Sequence, residues 1–152
     1  IDYKASEAEG VWTLVVSGKD GALLKPEVKE YCEPDIPHFN KGNFVVAVGS
    51  DKMGDGDQVL GELLITNFFK ALKDLDVLPS QIVFYNKGIL LGIDNSPVIE
   101  HLKELQTMGV SLFLCGTCIN HYKAGDNIHI GTISNMFEIA QIMASASNVI
   151  KP

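Results

Sequence analysis

Residues 110–118 read VSLFLCGTC and join an apolar run to two cysteines that are three positions apart. The run over 110–114 predicts a buried strand, and Cys115 and Cys118 follow it at its carboxyl end. In an open parallel α/β sheet, ligands bind beyond the carboxyl ends of the strands. This stretch therefore predicts both the class of the fold and the place of its chemistry.

Strand and helix patterns alternate on both sides of this stretch. Apolar runs over 44–48, 81–85, 128–130 and 148–150 predict further strands. Residues 88–92 are expected to form a short extension of a strand or a packed loop. Helical spacing predicts helices between the strands. This order predicts an α/β fold, a three-layer α/β/α domain with a mainly parallel five-stranded sheet and flavodoxin-like architecture.

The helical patterns also predict which residues face the core. In the first helix we expect a stripe against the sheet formed by Leu60, Leu63, Leu64, Phe68, Ala71, Leu72 and Leu75. In the second, Ser96 is the expected N-cap, Pro97 the first helical residue and Gly109 the stop. In the last, Met136 and Phe137 are expected in the core, and Asn135 and Glu138 have capping-box spacing.

The chain is predicted to divide near residue 42. Residues 11–16 predict one strand, closed by a turn at 18–21, and a linker with Pro34 and Pro37 follows. We therefore expect an N-terminal strand and linker over residues 1–42 and an α/β domain over residues 43–152.

Composition excludes several classes of function. The formal net charge is −7 and all twelve Lys+Arg residues are lysines, so nucleic-acid binding is not expected. The chain has no apolar stretch of membrane-spanning length and no basic-then-apolar leader, which predicts a soluble, cytoplasmic protein without membrane contact. A mean hydropathy of +0.14 favours buried subunit surface.

Several interpretations of the cysteine pair remain open at this point. Cys115 and Cys118 can fill core space, exchange electrons, bind zinc or carry sulfur, whereas a structural disulfide is not favoured. His121 extends the motif to three zinc ligands, and His129, Cys32 or another residue would have to supply a fourth. No metal or other cofactor is predicted. A thiol near the positive end of a helix is expected to have a lowered pKa.

Four loops should meet beside the thiols, over 49–57, 86–88, 115–121 and 131–135. Cys115 and Cys118 are the predicted catalytic residues, and the predicted substrate-binding residues are Asp51, Asn86, His121 and Asn135. His121 fits a solvated or hydrogen-bonded residue better than a catalytic base. In the 49–57 loop, Asp55 or Asp57 can cap the helix, or the loop can form a lip over the thiols.

Together these motifs resemble a known family. The matching segments are VVAVGSDKMGDGD at 45–57, Leu60-Gly61, FYNKG at 84–88, Ser96-Pro97-Val98, CGTC at 115–118 and TISNM at 132–136. They are similar to the C-terminal DsrE-like domain of YedF proteins, which are described as selenium metabolism or sulfurtransferase-like proteins. Full-length members carry a preceding TusA-like domain with a Cys-Pro-x-Pro motif, which this chain lacks. Residues 1–17 resemble the last strand of such a domain, so we expect a fragment or a truncated relative.

The resemblance implies a DsrE/F-like fold, homo-oligomers and a role in sulfur relay, extended to selenium in the YedF type. It implies that Cys115 accepts sulfane sulfur as a persulfide and that Cys118 is its partner. The implied partner is a sulfur-donor or acceptor protein such as a TusA-like domain. Two alternatives are a thiol-disulfide or metal-binding module and a noncatalytic interaction domain.

Overall fold

The N-terminal part of the chain contains a strand pair. A computed structural model describes residues 2–8, 11–17 and 40–152, with side chains described from residue 40 onward. The chain forms two compact units, residues 1–36 and 37–152. In the first unit, β1 (Asp2–Ala8) pairs antiparallel with β2 (Val11–Ser17).

The sequence predicted β2 but not β1, because residues 2–8 contain no β-branched side chain and no apolar run. The predicted turn at 18–21 and the linker with Cys32 lie outside the described residues. That residues 1–42 are the remnant of a TusA-like domain stays a prediction.

The second unit is an α/β domain whose strands are all parallel. Its elements in chain order are β3 (Phe44–Val48), α1 (Gln58–Leu72), β4 (Gln81–Phe84), α2 (Ile99–Thr107), β5 (Ser111–Cys115), α3 (Gly116–Tyr122), β6 (Thr132–Ser134), α4 (Met136–Ser145) and β7 (Asn148–Ile150). The strands lie side by side in the order β6-β5-β4-β3-β7. The predicted α/β fold with five strands is confirmed. Within the described residues, no helix has the length and apolar character needed to cross a bilayer.

The sheet separates two apolar layers. Val46 and Val48 belong to the larger one, which also contains the buried residues of α1, α2 and Ile119 of α3. Val45 and Ala47 alternate with them and pack in the smaller layer with α4 and Cys115. The fold therefore has three layers, and the first cysteine lies in the layer beneath α4.

The predicted core stripe of α1 is wrong. The face that packs on the sheet consists of Gly61, Ile65, Phe69 and Leu72, and Phe69 stacks on Phe84 with ring centroids 6.3 Å apart. Of the predicted residues only Leu72 is buried, whereas Leu63 is 57% exposed. Both faces of this helix carry apolar side chains at three- and four-residue spacing, so the pattern alone could not identify the face that meets the sheet.

The same error affects α4. Ile139 and Ile142 are its buried residues, while Met136 is 50% and Phe137 73% exposed. The predicted cap of this helix is correct, since Asn135 Oδ1 accepts a hydrogen bond of 3.0 Å from the Glu138 N–H. Apolar character in α4 therefore extends beyond the face that the sheet can cover.

The loop after β3 contains a helix cap. Asp57 Oδ1 accepts a 2.9 Å hydrogen bond from the Leu60 N–H, so Asp57 is the residue of the predicted pair that caps α1. The Met53 N–H donates to the Gly61 carbonyl at 3.0 Å, which ties the middle of the loop to the first turn of the helix.

Two other boundaries differ from those predicted. Ser96 is not the N-cap of α2, because residues 97 and 98 form a turn and the helix begins at Ile99. The Ser96 hydroxyl instead accepts a hydrogen bond of 3.3 Å from the Val98 N–H. No strand forms over 128–130, where Ile128 makes only an isolated antiparallel bridge with Ile93. The edge strand β6 forms a few residues later, within the segment predicted as a loop.

Gly88 lies in the 3₁₀ helix over Asn86–Gly92, where the chain passes very close to β3. A Cβ at this position would lie 2.1 Å from the Val48 carbonyl oxygen, which is a backbone atom and cannot rotate away. Gly56, in the loop before α1, has nothing within 4 Å of the corresponding position.

We predict that Gly88→Ala lowers the free energy of unfolding by about 1–3 kcal/mol, because the methyl group forces the backbone of β3 or of the 3₁₀ helix to move. Gly56→Ala is the matched control and should change it by no more than about 0.5 kcal/mol. Urea denaturation measures both values. Equal stability of the two variants would show that the close approach at Gly88 carries no constraint.

Candidate functional site

The site lies where β4 and β5 end beside each other. The two strands are parallel, with Phe84 opposite Leu114, so the residues that follow them meet at one edge of the sheet. Cys115 ends β5 and is also the N-cap residue of α3, which begins at Gly116. The sequence predicted a loop over 115–121. The start of α3 at Gly116 places Cys118 on the first turn of the helix, not in a loop.

The two thiols differ in their exposure to solvent. Cys115 is 1% exposed and packs in the layer beneath α4 with Val83 and Ile139. Cys118 is half-buried and contacts both apolar layers. Neither thiol is in a disulfide. A reagent in solution can therefore reach Cys118, whereas Cys115 lies in the protein interior behind it.

Cys118 opens into a pocket of about 320 Å³ whose wall is largely aromatic and apolar. The residues that line this thiol pocket are Tyr85, Asn86, Thr117, Cys118, His121, Tyr122 and Met136. A larger groove of about 610 Å³ runs beside α4, but the residues that line it include no cysteine and no histidine. Of these two pockets, the smaller one contains the nucleophilic residue Cys118, and we therefore take it as the candidate site.

Asn86 holds the sulfur of Cys118 from the β4 side. Its backbone N–H donates a 3.1 Å hydrogen bond to Cys118 Sγ. Its side-chain oxygen Oδ1 accepts a 3.0 Å hydrogen bond from the Tyr122 hydroxyl. Asn86 has a φ of 49°, in the left-handed region that asparagine adopts more readily than most residues. The prediction of Asn86 at this site thus gains a specific contact to the sulfur.

The pKa of Cys118 is raised above its ordinary value. Burial is the largest cause, and the hydrogen bond and the charge interaction with Cys115 act in the same direction. The N–H of Asn86 opposes them and lowers the pKa. The expectation of a lowered pKa is therefore wrong for this thiol, because desolvation and a neighbouring thiol outweigh the one donor that favours the thiolate.

The other predicted substrate-binding residues fall in different places. His121 is exposed and lines the thiol pocket, with its ring edge-on to Tyr122 at a centroid distance of 4.9 Å. Asp51 and Asn135 do not line it. Asp51 lies 3.5 Å from Ser50 Oγ, and Asn135 caps α4. Contact with a substrate stays a prediction for these residues.

Sequence reasoning missed four residues of the thiol pocket, which are Tyr85, Thr117, Tyr122 and Met136. Tyr122 had a detectable signal, since it follows Cys118 by four positions and so shares its face of α3. Met136 was missed because it was placed in the core.

The zinc interpretation gains no support. Over the described part of the chain, no group of three or more histidine, cysteine, aspartate or glutamate side chains could hold a metal ion. His129 lies elsewhere, with Nε2 3.3 Å from Asp94 Oδ2.

Comparison with known proteins gives the fold and the family. MTH1491 of Methanobacterium thermoautotrophicum, a protein of unknown function, has a solved structure that is 24% identical in sequence, with a TM-score of 0.52, covering 72% of this chain and 97% of that chain. The E. coli protein YchN is 19% identical, with a TM-score of 0.51, covering 74% of this chain and 99% of its own. At these identities both structures show a shared fold alone. A comparison with curated proteins finds no match.

A family model assigns the chain more specifically. The model of the DsrE/DsrF-like family matches residues 51–152, which contain α1 to α4, β4 to β7 and both cysteines of the site. The match spans more than half of the sequence and contains four of the five parallel strands and every residue that lines the thiol pocket. The chain belongs to the DsrE/DsrF-like family.

Proposed function

We propose that this protein is a sulfur-relay domain that carries sulfane sulfur as a persulfide on Cys118. The observation that carries the proposal is the contrast between the two thiols, because only Cys118 is both accessible and in contact with a hydrogen-bond donor. Membership in a family related to sulfur relay supports the same chemistry. The attacking thiol is then the second cysteine of the motif, not Cys115 as the family resemblance implied.

Loading is a displacement at the outer sulfur of a donor persulfide. The Cys118 thiolate attacks the sulfane sulfur of R–S–SH, a new S–S bond forms on Cys118, the donor S–S bond breaks and its electron pair leaves on RS⁻. No net oxidation occurs, so the step needs no redox cofactor. The largely aromatic and apolar wall of the pocket would shield the persulfide from water.

Unloading can follow two routes. An acceptor thiolate can attack the outer sulfur and return Cys118 as thiolate, which passes the cargo on without net oxidation. Alternatively, Cys115 attacks Cys118 Sγ and expels HS⁻, which leaves a Cys115–Cys118 disulfide that a cellular thiol must reduce. Cys115 and Cys118 pack in the same apolar layer, and this proximity supports the second route. Selenium would follow the same displacements.

We predict that the reduced protein, incubated with inorganic polysulfide and then freed of it, gains the mass of one sulfur atom on the peptide that contains Cys118. Cys118→Ser should abolish the gain, whereas Cys115→Ser should retain it and release the sulfur more slowly as HS⁻. A persulfidated TusA-like protein should load the same residue if it is the physiological donor. Mass spectrometry of the intact protein and of its peptides measures each result.

Other results would contradict the proposal. Sulfur retained on Cys115 in the Cys118→Ser variant would restore the roles that the family resemblance implied. A loss of two hydrogens in the wild type, together with no sulfur gain in the Cys115→Ser variant, would instead indicate a thiol-disulfide module, the second candidate, which the packing of both cysteines in one apolar layer favours. Either chemistry requires a reducing compartment such as the cytoplasm to keep both thiols free.

Partner surfaces form a further part of the proposal. On α1, the exposed side chains of Val59, Leu60, Leu63 and Leu64 lie within one arc of the helix, opposite the face that packs on the sheet. We propose that copies of the chain associate through this arc, because contiguous exposed apolar surface is typical of interaction sites. The exposed side chains of Ile133 and Phe137 lie close in sequence to Met136 of the thiol pocket, and we propose that they contact the sulfur-donor or acceptor protein.

We predict that Leu63→Lys converts a homo-oligomer into smaller species or monomers, because it places a charge within the apolar arc. Gln58→Lys is the matched control, since it adds the same charge on α1 outside the arc and should leave the assembly intact. Light scattering coupled to size-exclusion chromatography measures the mass of each variant. A wild-type protein that is monomeric at high concentration would contradict this use of the arc.

A further inference from the structure

Three hydrogen-bonding groups form a chain that ends on the reactive sulfur. Tyr122 donates its hydroxyl to Asn86 Oδ1 at 3.0 Å, and the Asn86 N–H donates to Cys118 Sγ at 3.1 Å. Cys118 and Tyr122 are one turn apart on α3, while Asn86 belongs to the 3₁₀ helix that follows β4. Helix α3 therefore carries the sulfur of Cys118. Through Tyr122 it also holds Asn86, whose backbone N–H donates to that sulfur.

We propose that Tyr122 is a positioning residue that holds the Asn86 amide on Cys118, so that the amide stabilises the sulfur whenever it carries negative charge. The inference rests on the proposed function for its use in sulfur transfer. The contact itself is present whether or not a persulfide forms.

The backbone conformation of Asn86 explains why such a hold is needed. A non-glycine residue at positive φ persists only where its surroundings fix it. Asn86 is itself exposed to solvent, so burial cannot fix it. Its side chain is anchored instead by the Tyr122 hydroxyl, which ties the β4 side of the pocket to α3.

Sulfur transfer uses the Asn86 N–H at two steps. Cys118 Sγ carries the charge as the attacking thiolate during loading, and it receives the electron pair again when an acceptor takes the outer sulfur. A preoriented N–H at a place where charge develops stabilises both states without reorganisation during the reaction. The Asn86 amide has this arrangement, and it opposes the burial and the Cys115 thiol that disfavour the charged sulfur.

Alkylation of Cys118 by iodoacetamide tests the inference without any sulfur donor. The titratable groups around this thiol are Cys115 beneath it and Tyr85, His121 and Tyr122 in the pocket. In Tyr122→Phe we expect the midpoint of the pH–rate profile to rise, because the amide that favours the thiolate is no longer held. Below both midpoints, alkylation should then be about three- to tenfold slower than in the wild type. Cys115 and Cys118 fall on one peptide, so fragment-ion sequencing of that peptide follows Cys118 alone. Urea midpoints report whether the variant remains folded.

Asn86→Gly separates positioning from a direct effect of the hydroxyl. Glycine adopts positive φ readily and keeps the N–H, but it removes the side chain that Tyr122 grips. We expect Asn86→Gly to slow alkylation as Tyr122→Phe does, and the double variant to show no further slowing. A wild-type profile for Tyr122→Phe, or effects that add in the double variant, would overturn the inference. Because no persulfide is involved, either result leaves the test of sulfur loading independent.

Discussion

The site depends on the parallel pairing of β4 with β5. This register places the residue after one strand beside the helix that follows the other, and so brings the Asn86 amide to the sulfur of Cys118. α3 begins immediately after β5, so Cys115 stays in the interior while Cys118 turns toward solvent one helical turn later. Gly88 allows the 3₁₀ helix after β4 to pass close to the Val48 carbonyl, which holds Asn86 at this edge. The two thiols, three positions apart in sequence, thus differ in how readily a reagent in solution can reach them.

Burial and hydrogen bonding act on Cys118 in opposite directions. The half-buried position and the neighbouring Cys115 disfavour the thiolate, while the Asn86 amide favours it. A thiol of this kind is protonated at neutral pH more than a free cysteine is, and its reactivity depends on the oriented donor. Shielding from water would then serve the persulfide, since the same apolar wall that raises the pKa would limit access by other nucleophiles.

The sheet and the thiol motif were predictable from sequence because each has a local signature. Four of the strands coincide with apolar runs. The second helix has one apolar stripe, which is buried and consists of Val98, Ile99, Leu102 and Leu105. The faces of α1 and α4 were not predictable, since both helices carry apolar residues beyond the area that the sheet covers. The spacing of apolar residues indicates which faces of a helix are apolar, but it does not indicate which face packs against the sheet. Met136 shows the consequence. It was predicted to lie in the core, whereas it lines the thiol pocket.

Within the site, sequence reasoning found the cysteines, Asn86 and His121 by their place after strands. It could not rank the two thiols, because that ranking depends on where the helix begins after β5. The hold of Tyr122 on Asn86 joins residues 36 positions apart and requires the sheet register to be known.

The central claim, that Cys118 and not Cys115 is the accessible nucleophile, is tested most directly by alkylation of the reduced native protein with a small neutral reagent. Fragment-ion sequencing of the peptide that carries both cysteines then compares their rates of modification. We expect Cys118 to react while Cys115 stays unmodified until denaturant is added. Reaction of Cys115 at an equal or greater rate in the folded protein would contradict the account.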